Sequence, residues 1–159
     1  MDKDALIASS AAEATRLLQE GALTVDDYAR ALLDRVEQIE PQVQAWTYLD
    51  AAHVLAQAAE ADDRRRHGLP GGLLFGLPVG IKDIIDVAGM PTEDGTVLHA
   101  GRMPGEDAAL VAALRRAGAL PMGKTVTTEL ATYAAGKTRN PHDPSHSPGG
   151  SSSGSAAAV

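Results

Sequence analysis

The chain has no cysteine. That removes disulfides, thiol nucleophiles and zinc–thiolate sites together, and it fits a reducing compartment. Aromatic residues make up only 3% of the 159 positions, so any core must rest on Leu, Val, Ile and Ala. Positive charge is not in excess: the net charge is −7, which repels phosphate backbones and argues against direct nucleic-acid binding. No apolar run approaches the roughly 20 residues a membrane helix needs. The first ten residues lack the basic start and apolar stretch of a signal peptide. The expectation is a soluble, cytoplasmic protein with no membrane and no nucleic-acid partner. No internal repeat is present.

What is there fits one ordinary domain. A hydrophobic fraction of 44% is that of a globular chain, and this length buries a sizeable core without covalent staples. The first third reads as helices. Ile7, Ala11, Ala14 and Leu18 recur at helical spacing, with Gly21 as the stop. Thr24 is placed to cap a second helix striped by Val25, Ala29, Leu32, Val36 and Ile39 and closed by Pro41. Asp26 and Arg30, four apart, can pair across one turn. Residues 43–49 form a short extended candidate. Asp50 caps a third helix carrying Val54, Leu55 and Ala58 on one face, ended by Gly68 and Pro70. Arg64, Arg65 and Arg66, the one basic run, fall at its end, where they suit the negative pole of the helix dipole.

The middle of the chain changes character. Residues 73–85 are apolar but broken by Gly76, Pro78 and Gly80, which predicts short strands with a sharp bend reaching Lys82. Residues 87–105 read as a loop. Residues 107–117 are a helix with Leu110, Val111 and Leu114 on one face and Gly118 at its end; residues 119–122 are a buried strand, and 127–133 a short helix. Residues 136–150 hold Pro141, Pro144 and Pro148 and must be irregular. This order predicts an α/β fold, with residues 1–70 as an N-terminal helical layer and 71–159 as the start of an α/β core.

Two segments could carry chemistry. Lys82 ends an apolar strand, where burying its charge is costly; on spacing alone it sits in water past the strand edge, or pairs with Asp83 or Asp86. The run Gly149-Gly150-Ser151-Ser152-Ser153-Gly154-Ser155 leads straight into Ala156-Ala157-Ala158-Val159. It is either a flexible linker or packing loop, or a functional loop whose small residues let backbones approach closely. Gly118 to Thr125 matches the P-loop pattern G-x-x-x-x-G-K-[ST]. A helix rather than a strand precedes Gly118, and the intervening residues are apolar, so a phosphate cradle is rejected. His142 and His146 are four apart, but the surrounding prolines forbid the helix that would aim both at a metal. His53, His67 and His99 are isolated. The acid pairs Asp62-Asp63 and Glu93-Asp94 read as solvated faces.

Taken together, Gly76-Leu77-Pro78-Val79-Gly80-Ile81-Lys82-Asp83 and the Gly-Ser run starting at Gly149 resemble the amidase signature family. Gly123-Lys124-Thr125 and Lys137-Thr138-Arg139-Asn140-Pro141 fall between them in the order that family shows. The likeness is strongest over residues 73–159 and weakest in the N-terminal helices. The resemblance implies a mixed sheet core surrounded by helices and a Ser-cisSer-Lys triad. In that triad Lys82 matches the lysine and Ser151 the bridging serine preceded by a cis peptide, 69 positions apart. Ser153 stands where many members carry glycine. The nucleophilic serine and the oxyanion-hole donors lie, by the same resemblance, downstream of Val159. The expectation is therefore the N-terminal portion of a single amidase domain, truncated within its catalytic core and inactive alone.

The chemistry so implied is coherent. A serine hydroxyl is a weak nucleophile and needs a base. A lysine serves as base only when neutral, so the ordinary lysine pKa of about 10.4 must fall by roughly three units, about 4 kcal/mol. The expected activity is amide (C–N) hydrolysis through an acyl-enzyme on a small-molecule amide, as in a general bacterial amidase, with no cofactor and no metal. The alternatives are the glutamine-hydrolysing subunit of a tRNA-dependent amidotransferase and an inactive fragment that only associates. Substrate-binding residues stay unassigned, and a homodimer of the full-length form is left open.

Overall fold

The computed structural model describes residues 3–159, and its architecture is α/β, with helices and a small mixed sheet. In chain order the α-helices are α1 (Lys3–Ile7), α2 (Ala11–Glu20), α3 (Val25–Val43), α4 (Ala51–Arg66), α5 (Ala109–Arg116) and α6 (Ser153–Ala158). The strands are β1 (Trp46–Leu49), β2 (Pro78–Lys82) and β3 (Leu120–Thr125), in the order β1-β3-β2. No described helix is long and apolar enough to cross a membrane. Among the described residues, two compact units are each assembled from separated segments: 3–37, 50–79 and 113–121 in the first, and 38–49, 80–112 and 122–159 in the second.

In the first unit the helical stripe starting at Ile7 is broken, not continuous. Ser10 turns extended and its side chain caps α2 by accepting from the Glu13 N–H, while Gly21 closes α2 in the left-handed region at φ 74. Thr24 caps α3, taking the Asp27 N–H at 3.0 Å, and Arg30 grips Asp26 through two bonds of 2.6 and 3.0 Å. Asp50 caps α4 by accepting from the His53 N–H. Leu18, Val25, Val54 and Ala58 are buried in this unit, and Gly76 lies so close to Val25 and Leu18 that a side chain there would collide with them.

Asp62 departs from the sequence expectation. It is 5% exposed rather than solvated, and its two carboxylate oxygens accept the N–H groups of Val25 and Asp26, each at 3.0 Å. It therefore satisfies two of the orphan donors at the start of α3 from a different helix. Replacing Asp62 with Ala should lower stability by about 1–3 kcal/mol, because buried backbone donors lose their acceptor; denaturant titration against the parent chain measures this.

In the second unit, α3 runs on past Pro41 to Val43. A proline so near a helix end removes one donor and leaves few residues to follow. The Gln44 N–H still reaches the Glu40 carbonyl, and Gln44 stops the helix at φ 53. The Glu40 carboxylate then receives the Ala45 and Trp46 N–H groups, both at 2.9 Å, and delivers the chain into β1. β1 runs antiparallel to β3 with Trp46 opposite Thr125 and Tyr48 opposite Lys124. β3 extends to Thr125, three residues beyond the expected strand, and every one of its side chains is buried. Gly123 is required there: a Cβ would come within 2.4 Å of the Tyr48 carbonyl oxygen.

Candidate active site

β2 ends at Lys82, and the chain then turns sharply at Asp83. The Asp83 N–H donates to the Thr125 carbonyl at 2.9 Å, which ties the turn to the end of β3. From Thr125 the backbone continues as an extended stretch to Thr128, all of it buried. That stretch receives the Gly-Ser run: the Gly154 N–H donates to the Val126 carbonyl and the Thr128 N–H to the Ser151 carbonyl, both at 2.9 Å. The Thr125 and Ser155 hydroxyls meet at 2.7 Å. The Gly-Ser run is thus a packed loop opening α6, not a linker.

Gly154 explains why small residues are needed. A Cβ at that position would lie 2.2 Å from the Ala45 carbonyl oxygen and 2.3 Å from the Val126 nitrogen. Gly150 is similarly close to the Thr128 side chain, at 2.7 Å. The Gly150–Ser151 peptide is cis. Lys82 Nζ and Ser151 Oγ lie 2.6 Å apart, in a hydrogen bond between partly buried side chains. The lysine is neither free in solvent past the strand edge nor paired with its neighbouring acids. Asp86 is held by two 2.7 Å bonds from Arg102, and that guanidinium keeps its carboxyl below the usual carboxylate range.

Asp83 is held by a second lysine that sequence reasoning did not single out for its chemistry. Lys124 is 0% exposed, and its ammonium donates to Asp83 Oδ1 at 3.0 Å, to the Pro91 carbonyl at 3.0 Å and to Thr92 Oγ1 at 2.5 Å. Burial pushes the Asp83 carboxyl up and the Lys124 ammonium down, while each partner works against the shift in the other. Its signal was available: a lysine flanked by buried strand residues must find a carboxylate. Read as part of a P-loop pattern, it drew attention to phosphate instead. A helix does precede Gly118, and residues 120–125 are strand β3, so the cradle geometry is absent there.

The remaining candidates lie elsewhere. His146 Nδ1 meets Asp143 Oδ2 at 2.8 Å in an irregular, exposed stretch, and His142 is exposed. Among the described residues no group of three or more His, Cys, Asp or Glu is placed to hold a metal. The expected helix over 127–133 is only a 3₁₀ turn at Glu129–Ala131, with Leu130 and Ala131 at φ 49 and 57. There the Leu130 N–H donates to the Asp94 carbonyl and the Thr96 hydroxyl to Glu129 Oε1.

The Amidase family model matches residues 27–159. The chain belongs to the amidase family. It is 39% identical over 160 aligned positions to a glutamyl-tRNA(Gln) amidotransferase subunit of Acidothermus cellulolyticus, covering 97% of this chain and 32% of that protein. The same subunit of Symbiobacterium thermophilum is 41% identical, covering 94% of this chain and 32% of that protein. Among solved structures, the peptide amidase of Stenotrophomonas maltophilia superposes with a TM-score of 0.88 at 37% identity, over 96% of this chain and 34% of that one. This amidase chain therefore spans about a third of the length of the curated relatives it matches.

Proposed function

We propose that Lys82 and Ser151 are the base and the proton-relaying serine of an amide-hydrolysing centre of Ser-cisSer-Lys type. The observation that carries this is the 2.6 Å contact between their side chains, made across 69 positions of sequence. In the neutral state Lys82 Nζ accepts the Ser151 hydroxyl proton. Ser151 Oγ accepts in turn the proton of a nucleophilic serine, which the family resemblance puts in a later Gly-rich segment. That serine oxygen bonds to the amide carbonyl carbon. The tetrahedral adduct expels the nitrogen, which takes the relayed proton, and leaves an acyl ester. Water then cleaves the ester and frees the acid. No cofactor enters these steps. The absence of cysteine and the acidic composition suit a cytoplasmic setting.

A general amidase acting on small carboxamides is the first assignment, supported by the peptide amidase likeness. The glutamine-hydrolysing subunit of a tRNA-dependent amidotransferase is the second, supported by the names of the curated relatives. Ammonia release by the full-length protein from glutamine and from a panel of simple primary carboxamides separates the two. Hydrolysis of simple carboxamides without partner proteins is the expected result. Activity confined to glutamine, and only in the presence of partner proteins, selects the amidotransferase. In either case Ser151→Ala should abolish most turnover, and undiminished ammonia release by that variant would overturn the assignment of Ser151.

A further inference from the structure

Lys124 has the largest fully buried side chain among the described residues. Taking an ion pair out of water is costly, and apolar residues of similar volume often serve stability as well or better. The pair it forms with Asp83 therefore calls for a reason other than stability. All three ammonium donors are used. The Thr92 hydroxyl donates to the Ile85 carbonyl at 3.5 Å, which leaves its oxygen to accept from Lys124. The arrangement suits a charged ammonium.

Asp83 directly follows Lys82, and its polar groups are all engaged. Its N–H donates to the Thr125 carbonyl and its carbonyl accepts the Asp94 N–H. Its carboxylate accepts from Lys124 and from the Glu93 N–H. Lys124 itself sits on β3, one residue before Thr125, whose hydroxyl meets Ser155. The next residues of the same stretch, Val126 and Thr128, hold the Ser151 loop. One strand thus carries both the clamp on the Lys82 turn and the support of Ser151.

We propose that the buried Lys124–Asp83 pair is a positioning pair that aims Lys82 at Ser151, an inference that rests on the amide-hydrolysing assignment above. Lys124 and Asp83 transfer no proton to substrate; they fix the peptide that bears Lys82 against β3. Each partner also keeps the other charged, since burial alone pushes both toward their neutral forms. Asp86, Glu93 and Asp94 are the other charged groups facing the pair. Asp86 is engaged by Arg102 and Asp94 by His99.

The test is steady-state kinetics on the full-length protein carrying Lys124→Met or Asp83→Asn, with rates normalised to folded protein by circular dichroism. Each variant should lose about 100-fold in kcat with KM little changed, as for a small misplacement of a reacting group. A purely structural pair would lower stability and leave kcat per folded molecule unchanged. Folded variants with parental kcat, or a loss carried by KM rather than kcat, overturn the proposal. If Lys124→Met does not fold, Asp83→Asn decides, since it keeps the volume and an acceptor for the Glu93 N–H. If neither folds, the pair is a folding element and the proposal fails. Should Lys82→Ala retain full activity, the hydrolytic assignment itself fails, an outcome separate from the one tested here.

Discussion

Lys82→Ala in the full-length protein should lower kcat for amide hydrolysis by about 100- to 10,000-fold, the span general-base groups contribute. The side chain being removed lies 2.6 Å from Ser151 Oγ, and on the proposed mechanism its loss takes from that hydroxyl the acceptor for its proton. KM should change little, because nothing in the geometry puts Lys82 in the role of holding the ground state. Lys82→Arg should be almost as damaging as the alanine variant: a guanidinium stays protonated at any working pH, so it cannot accept. Initial rates with saturating carboxamide substrate, together with a thermal melt to show that the variant is folded, measure this. A variant within a few-fold of the parent would remove Lys82 from the mechanism.

Gly154→Ala should produce the largest structural effect. The new methyl group would occupy space 2.2 Å from the Ala45 carbonyl oxygen and 2.3 Å from the Val126 nitrogen. Both obstacles are backbone atoms, Ala45 leading into β1 and Val126 continuing from β3, so neither can swing aside as a flexible side chain would. Overpacking of this sort costs about 1–3 kcal/mol, occasionally more. The cheaper escape is for the start of α6 to lift away, breaking the Gly154 N–H bond to Val126 and carrying Ser151 out of reach of Lys82. Stability and turnover should therefore fall together. Gly89→Ala is the control for a glycine change: nothing lies within 4 Å of its Cβ position, although its φ of 80 adds some local strain. Urea titration combined with activity measurements distinguishes the two substitutions, and equal behaviour would contradict the close approach at Gly154.

Much of this was written in local sequence. Helix caps at Thr24 and Asp50 follow from side-chain chemistry that acts over three residues, and the Asp26–Arg30 pair from helical spacing. Lys82 and Ser151 stood out through motif resemblance. Spacing alone pointed the lysine toward solvent or its neighbouring acids, because a 69-residue separation leaves no local trace. The same limit hid Asp62, which caps a helix 36 positions away, and Lys124, whose partner Asp83 lies 41 positions away. Pro41 misled in the other direction: the rule that proline ends a helix is weaker when the helix has only two residues left to run.

Strand β3 has a consequence for how the protein comes to be. On the ribosome, Lys82 emerges first, then β3, and the Ser151 loop last of the three. Until the loop arrives, the lysine has no hydroxyl to meet, and until β3 is seated neither the turn after Lys82 nor the loop has an edge to grip. The contact between Lys82 and Ser151 thus depends on tertiary pairing and not on local sequence. On the proposed assignment, a misfolded chain would carry both residues and still be silent.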